Sequence, residues 1–142
     1  MELLEFLLND DQIFTSITLF VLIALLIGNI IADKLKKYEE VDAKSAVTLM
    51  DEKNLIILDV REVKECKKEG RIANAIHIPL SQVKNKLDTL DNSKKVLVYC
   101  HSGSRSAHIS RLLTHNGFEQ VYNLKGGISA WKKANLPTTN KE

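Results

Sequence analysis

The densest run of reactive side chains in this chain is CHSGSR, from Cys100 to Arg105. A thiol is followed by His101, Ser102, Gly103 and Ser104, and an arginine closes the set. The apolar run KVLVYC precedes the loop, and SAHISRLL follows it. Ala107, Ile109, Leu112 and Leu113 recur at helical spacing there, and Gly117 supplies a stop. A cysteine that ends a buried strand and opens a helix lies where backbone N–H groups converge at the positive helix end. Gly103 lets that backbone turn tightly. Ser102 and Ser104 add hydroxyl donors, and Arg105 adds a permanent positive charge. Such a field lowers a thiol from its free value of about 8.5 by one to several units. Cys100 is therefore expected to be a thiolate nucleophile, and an anion carried on it would be held by the same donors. The bland reading, a buried cysteine ending a core strand, is opposed by the polar and glycine residues that follow at once.

Cys100 and Arg105 are the expected catalytic residues. His101, Ser102, Gly103, Ser104 and Arg61 are expected to bind substrate. Asp59, at the end of another apolar run, is expected to give structural support. The second cysteine, Cys66, reads as a small core filler, and two cysteines in a reducing compartment give no structural disulfide. His77, His108 and His115 show no metal-ligand spacing with either cysteine, so no zinc site is expected. Trp131, with Ile128 three residues before it, reads as core.

These residues need elements to position them. LIILDV (Leu55 to Val60) and KVLVYC (Lys95 to Cys100) are near-continuous aliphatic runs, as in strands buried on both faces. AIHI (Ala75 to Ile78) and QVYNL (Gln120 to Leu124) are shorter strand candidates. Helical patterns cover Ala43 to Glu52, Gln82 to Leu90, Arg105 to Asn116 and Gly127 to Ala134. The alternation predicts an α/β fold with a mostly parallel central sheet flanked by helices. In such sheets, ligands bind beyond the carboxyl ends of the strands, where Cys100 falls.

Ahead of this body, Ile13 to Ala32 carries no charged residue. Twenty helical residues rise about 30 Å, the thickness of a bilayer core. The first twelve residues hold Glu2, Glu5, Asp10 and Asp11 and no Lys or Arg, which a signal peptide would need. All twenty Lys and Arg lie after the span, beginning at Lys34. The positive-inside rule then predicts a single-pass protein of a bacterial-type inner membrane, with its N-terminus outside and its catalytic domain cytoplasmic. The expected divisions are an extracytoplasmic stretch 1–12, a transmembrane helix 13–32, a connector 33–39 continuing the helix, and a folded domain 40–138. Membrane lipid is an expected partner through residues 13–32. The body carries 20 basic and 14 acidic residues, +6 formally, without an arginine stripe or interleaved aromatics. No nucleic-acid partner is expected.

CHSGSR also fits the C-x-x-G-x-R pattern of rhodanese active sites through Cys100, Gly103 and Arg105. Three more blocks occur in family order. LDVREVKEC resembles D-x-R-x-x-x-E through Asp59, Arg61 and Glu65. EGRIANAIHIPL resembles G-H-I-x-G-A-x-x-I-P, and LKGGISAWKKANLP resembles L-x-G-G-x-x-A-W. The body thus resembles a rhodanese-like sulfurtransferase from about Glu40 to Pro137. Arg71 stands where that family usually has His, Ala73 and Asn74 where Pro-Gly is common, and Cys66 where an aromatic is usual. The resemblance implies transfer of sulfane sulfur from a donor such as thiosulfate to a thiol or cyanide through a Cys100 persulfide, with no metal or cofactor. Related phosphatases carry five residues between Cys and Arg; the four here suit a smaller anion. A competing reading is a membrane-tethered rhodanese-like binding module acting on inner-membrane proteins.

Overall fold

The computed structural model describes residues 1–7 and 9–141. The chain divides into two units, Met1–Lys36 and Lys37–Glu142.

The first unit is helical, with α1 over Glu2–Leu7 and α2 over Asp10–Lys34. Within α2, Gln12–Lys34 is long and apolar enough to cross a membrane, and none of its apolar window is buried. Phe14, Phe20 and Leu25 stand exposed on its surface. Its two threonine hydroxyls are satisfied within the helix. Thr15 Oγ1 donates to the Gln12 carbonyl and Thr18 Oγ1 to the Phe14 carbonyl, both at 2.7 Å. A polar side chain in a medium without water must find its partner this way.

The connector continues the helix only through Asp33 and Lys34. α2 stops at Lys34, and Glu39–Val41 forms strand β1. This strand pairs in parallel with β5 (Val121–Leu124), with Glu39 opposite Tyr122 and Val41 opposite Leu124. Val41 and the preceding Tyr38 are buried, while Glu39 and Glu40 are exposed along an edge. Charges on an edge strand discourage further pairing.

The second unit holds α3 (Ala43–Met50), β2 (Leu55–Asp59), α4 (Val63–Glu69), β3 (Ile76–His77), α5 (Leu80–Val83), β4 (Lys95–Tyr99), α6 (Ser104–His115) and α7 (Gly127–Lys133). The five strands form one sheet in the order β1-β5-β4-β2-β3, and all pairs are parallel. This is the α/β architecture that the alternation predicts. Strand periodicity splits the core in two. Ile56, Leu58, Val96 and Val98 pack on one face with Val83, Ile109 and Leu113. Ile57, Leu97 and Tyr99 pack on the other with Ala46, Ile128 and Trp131. Leu97, Leu113 and Ile128 are fully enclosed. Truncating any of them to Ala costs about 2–5 kcal/mol.

Several boundaries differ from expectation. The strands end at Asp59 and Tyr99, one residue short of Val60 and Cys100. The segment expected as one helix over Gln82 to Leu90 is α5 followed by a 3-10 helix over Lys84–Thr89. Val83 and Leu90 are its buried residues, and Leu87 packs partly against the same core. Helix α4 was not expected, because Val63 and Cys66 are its only apolar residues. It is started by a capping box between Glu62 and Glu65 and ended by Gly70 at φ 74°. Asn74 adopts φ 65°, so it fills the left-handed position where the motif usually has glycine.

Candidate active site

Cys100 follows Val98 on the α6 side of the sheet and is fully buried among that face's side chains. The next residues bend at once into α6. Gly103, at φ 99°, is the residue before the helix, and its amide comes within 3.1 Å of Cys100 Sγ. A Cβ on Gly103 would press on Gly126 N and Leu124 O at 3.3 Å. Ser106, in the first turn of α6, gives Sγ two more donors: its amide at 3.4 Å and its hydroxyl at 3.3 Å. Burial pushes the thiol up. The Ser106 hydroxyl and amide and the Gly103 and Ser102 amides outweigh it, and Cys100 lies below the ordinary cysteine value.

The loop is held from three sides. Asn123, buried on β5, donates Nδ2–H to the Gly103 carbonyl at 3.1 Å. The Ile128 and Ser129 amides of α7 donate to the Cys100 and His101 carbonyls at 2.9 and 3.2 Å. Helix α4 supplies two carboxylates one turn apart. Glu65 takes the Arg105 guanidinium in a fork, with contacts of 2.8 and 2.6 Å. Its carboxyl is pushed down to about 2, first by that hydrogen bond. Glu69 Oε2 lies 3.3 Å from His101 Nδ1. Ser102 and Ser104 are exposed, their hydroxyl oxygens 3.5 Å apart.

The structure therefore brings Cys100, His101, Ser102, Gly103, Ser104 and Arg105 into one loop. It does not bring Arg61 to that loop's mouth. Arg61 is fully buried and lies over the Tyr99 ring at 5.4 Å. Its Nε and Nη2 bind Asp59 at 3.0 and 2.8 Å, and Nη2 also donates to the Gly70 carbonyl at 2.8 Å. The expectation of Arg61 as a substrate-binding residue is corrected on this geometry. A carboxylate two residues earlier captures the guanidinium before it can turn outward. Asp59 also accepts the Tyr99 hydroxyl at 2.7 Å. Burial pushes its carboxyl up, but the hydrogen bonds of Arg61 and Tyr99 hold it below the carboxylate range. Asp59 thus organises the floor beneath the loop.

Cys66 is also buried, with Sγ 3.5 Å from Asp59 Oδ2. Burial and that carboxylate push its thiol up to about 11. The two thiols are driven in opposite directions by opposite surroundings. Ser106, Glu65, Glu69 and Asn123 were not among the expected site residues. Ser106 and Glu65 had a signal, since one follows Arg105 directly and the other belongs to the D-x-R-x-x-x-E block. Asn123 sits 20 positions from Gly103 and had none.

The profile of the family described as Rhodanese-like domain matches residues 42–134. The thiosulfate sulfurtransferase GlpE of Coxiella burnetii is 34% identical over 103 residues, which are 72% of this chain and 94% of that protein. A protein of Allochromatium vinosum named sulfurtransferase is 31% identical over 104 residues, 72% of this chain and 96% of its own. Among solved structures, a rhodanese-related protein of Thermoplasma volcanium superposes with TM-score 0.67 at 33% identity, over 73% of this chain and 100% of the other. A rhodanese-like domain protein of Staphylococcus aureus gives TM-score 0.59 at 29% identity, over 66% and 90%. On profile, relatives and fold together, this chain belongs to the rhodanese-like sulfurtransferase family.

Proposed function

We propose that this protein transfers sulfane sulfur from a donor such as thiosulfate to a thiol or cyanide acceptor through a persulfide on Cys100. The observation that carries this reading is the set of donors aimed at one sulfur: the Gly103 amide and the Ser106 amide and hydroxyl all reach Cys100 Sγ. Donors that favour thiolate over thiol make the nucleophile at neutral pH. The thiolate attacks the outer sulfur of the donor. A bond forms between Cys100 Sγ and that sulfur, the donor's S–S bond breaks, and with thiosulfate the leaving group is sulfite, which takes the electron pair. The persulfide remains anionic, and the positive end of α6 with the Arg105 charge stabilises it. An acceptor thiolate then attacks the outer sulfur, and Cys100 leaves as thiolate. Ser102, Ser104 and His101 line the exposed lip of the loop and contact the donor, while Asp59 supports it from below.

In this reading the protein is held in a bacterial-type inner membrane by residues 13–32, with the N-terminus outside and the domain in the cytoplasm. Supporting it are a helix long and apolar enough to cross a membrane and the restriction of all Lys and Arg to residues after its uncharged stretch. The same helix favours a second role, in which the domain also docks on inner-membrane proteins. The test of the transfer reading is thiosulfate:cyanide activity of the full chain in detergent micelles. Wild type turns over and Cys100→Ala does not; equal activity of the two would refute it.

A further inference from the structure

The charges around the loop do not cancel. Glu65 matches Arg105 in a bidentate pair. Asp59 matches Arg61, and both are fully buried. Glu69 is the carboxylate left over. Its Oε2 lies 3.5 Å from Arg61 Nη1, a guanidinium already matched, and 3.3 Å from the exposed His101. Leaving His101 out of the count, the groups in contact around the loop hold two guanidinium charges against three carboxylates, and the Cys100 thiolate adds another negative charge. The Glu69 side chain keeps 26% of its surface accessible, so this charge stands beside the mouth and not beneath it. A dianion entering the loop gains the backbone donors but works against Glu69 throughout its approach. A donor whose own charges balance does not.

We propose that Glu69 is a specificity-determining residue of the Cys100 site, weighting it against dianionic sulfur donors and toward sulfane sulfur carried on thiols. The proposal rests on the sulfur-transfer reading and names the donor class for it. With a hydropersulfide, the Cys100 thiolate attacks the terminal sulfur, the RS–SH bond breaks, and RS− leaves with the electron pair. Cys100 then carries S–SH, and no outside oxidant or reductant is involved.

The experiment uses the full chain in detergent micelles and follows Cys100 persulfide formation in a single turnover by intact mass. The donors are thiosulfate and cysteamine persulfide, whose ammonium balances its persulfide charge. Glu69→Gln keeps an oxygen acceptor for His101 and Arg61 and removes only the charge. Glu119→Gln, which precedes β5 at the opposite end of the sheet, is the charge control. Glu69→Gln is expected to raise kcat/KM for thiosulfate about three- to tenfold and that for cysteamine persulfide less than twofold. Glu119→Gln is expected to change neither. Salt gives a second check. Screening charges to about 3 Å should shrink the advantage of Glu69→Gln over wild type with thiosulfate and leave the two equal with cysteamine persulfide. Equal effects of Glu69→Gln on both donors, or a thiosulfate advantage that salt does not reduce, would overturn the assignment while Cys100 still acquires sulfur. Absence of a Cys100 adduct with either donor would instead overturn the sulfur-transfer reading beneath it.

Discussion

Ser106 meets Cys100 twice, with its amide nitrogen 3.4 Å and its hydroxyl oxygen 3.3 Å from Sγ. Both contacts favour the thiolate, and with the loop amides they outweigh the burial that opposes it. Removing the hydroxyl leaves the amide in place. Ser106→Ala should therefore move the thiol titration upward and slow Cys100 alkylation by iodoacetamide at neutral pH about three- to tenfold. Ultraviolet thiolate absorbance against pH reads the first effect and stopped-time mass spectrometry the second. An unchanged titration would show that the amides suffice.

Cys66 provides the contrast. Its thiol stands at about 11, through burial and the facing Asp59 carboxylate. At pH 7.5 iodoacetamide should label Cys100 at least tenfold faster than Cys66, as read by peptide mapping. Labelling at equal rates would contradict the electrostatic account of both sites.

The second glycine of the Gly126–Gly127 pair is fixed by how closely α7 approaches the loop. A Cβ at Gly127 would lie 2.5 Å from the Cys100 and His101 carbonyl oxygens, and its φ of 59° already disfavours a side chain. Both atoms are backbone and cannot swing aside. Gly127→Ala should cost about 3 kcal/mol or more in urea unfolding, with loss of activity from the displaced loop. A variant within about 0.5 kcal/mol of wild type would mean that the α7 contact is soft.

Glu65 links stability to pH. Its folded carboxyl lies at about 2, below the ordinary 4.5, chiefly through Arg105. A lowered carboxyl stabilises the fold fully above its unfolded value, and that contribution is lost as pH falls from about 4.5 through about 2. The pair is a third exposed, so solvent limits it to about 1 kcal/mol at pH 7. Glu65→Gln retains an acceptor for the Glu62 amide while losing the charge. It should be less stable than wild type by that amount at neutral pH and converge on it as pH falls through about 2. A constant difference across the range would assign the loss to packing.

The parts of the fold that sequence exposed are those enforced by burial. Leu55 to Asp59 and Lys95 to Tyr99 sit between two helical layers, so both of their faces must be apolar and the runs show it. Strand β1 has three residues and owes its form to pairing with β5, which no local pattern announces. Helix α4 has almost no apolar stripe, and its capping box begins with Glu62, an uncommon residue at that position. The Cys100 loop is local in sequence, so its members could be named from the pattern alone. Its supports are not local. Glu65 and Glu69 reach it from α4, and Asn123 from β5. Arg61 was misplaced for the converse reason. A strand-end arginine near a site looks like a rim residue until the buried Asp59 beside it is seen to hold its guanidinium.

The central claim is that sulfur travels on Cys100. The most direct measurement is the intact mass of the full chain before and after incubation with a sulfane-sulfur donor, beside Cys100→Ala and Cys66→Ala. The account predicts a gain of one sulfur atom on wild type and on Cys66→Ala, lost on addition of a thiol acceptor, and no gain on Cys100→Ala. An adduct that persists in Cys100→Ala, or one that disappears in Cys66→Ala, would contradict it.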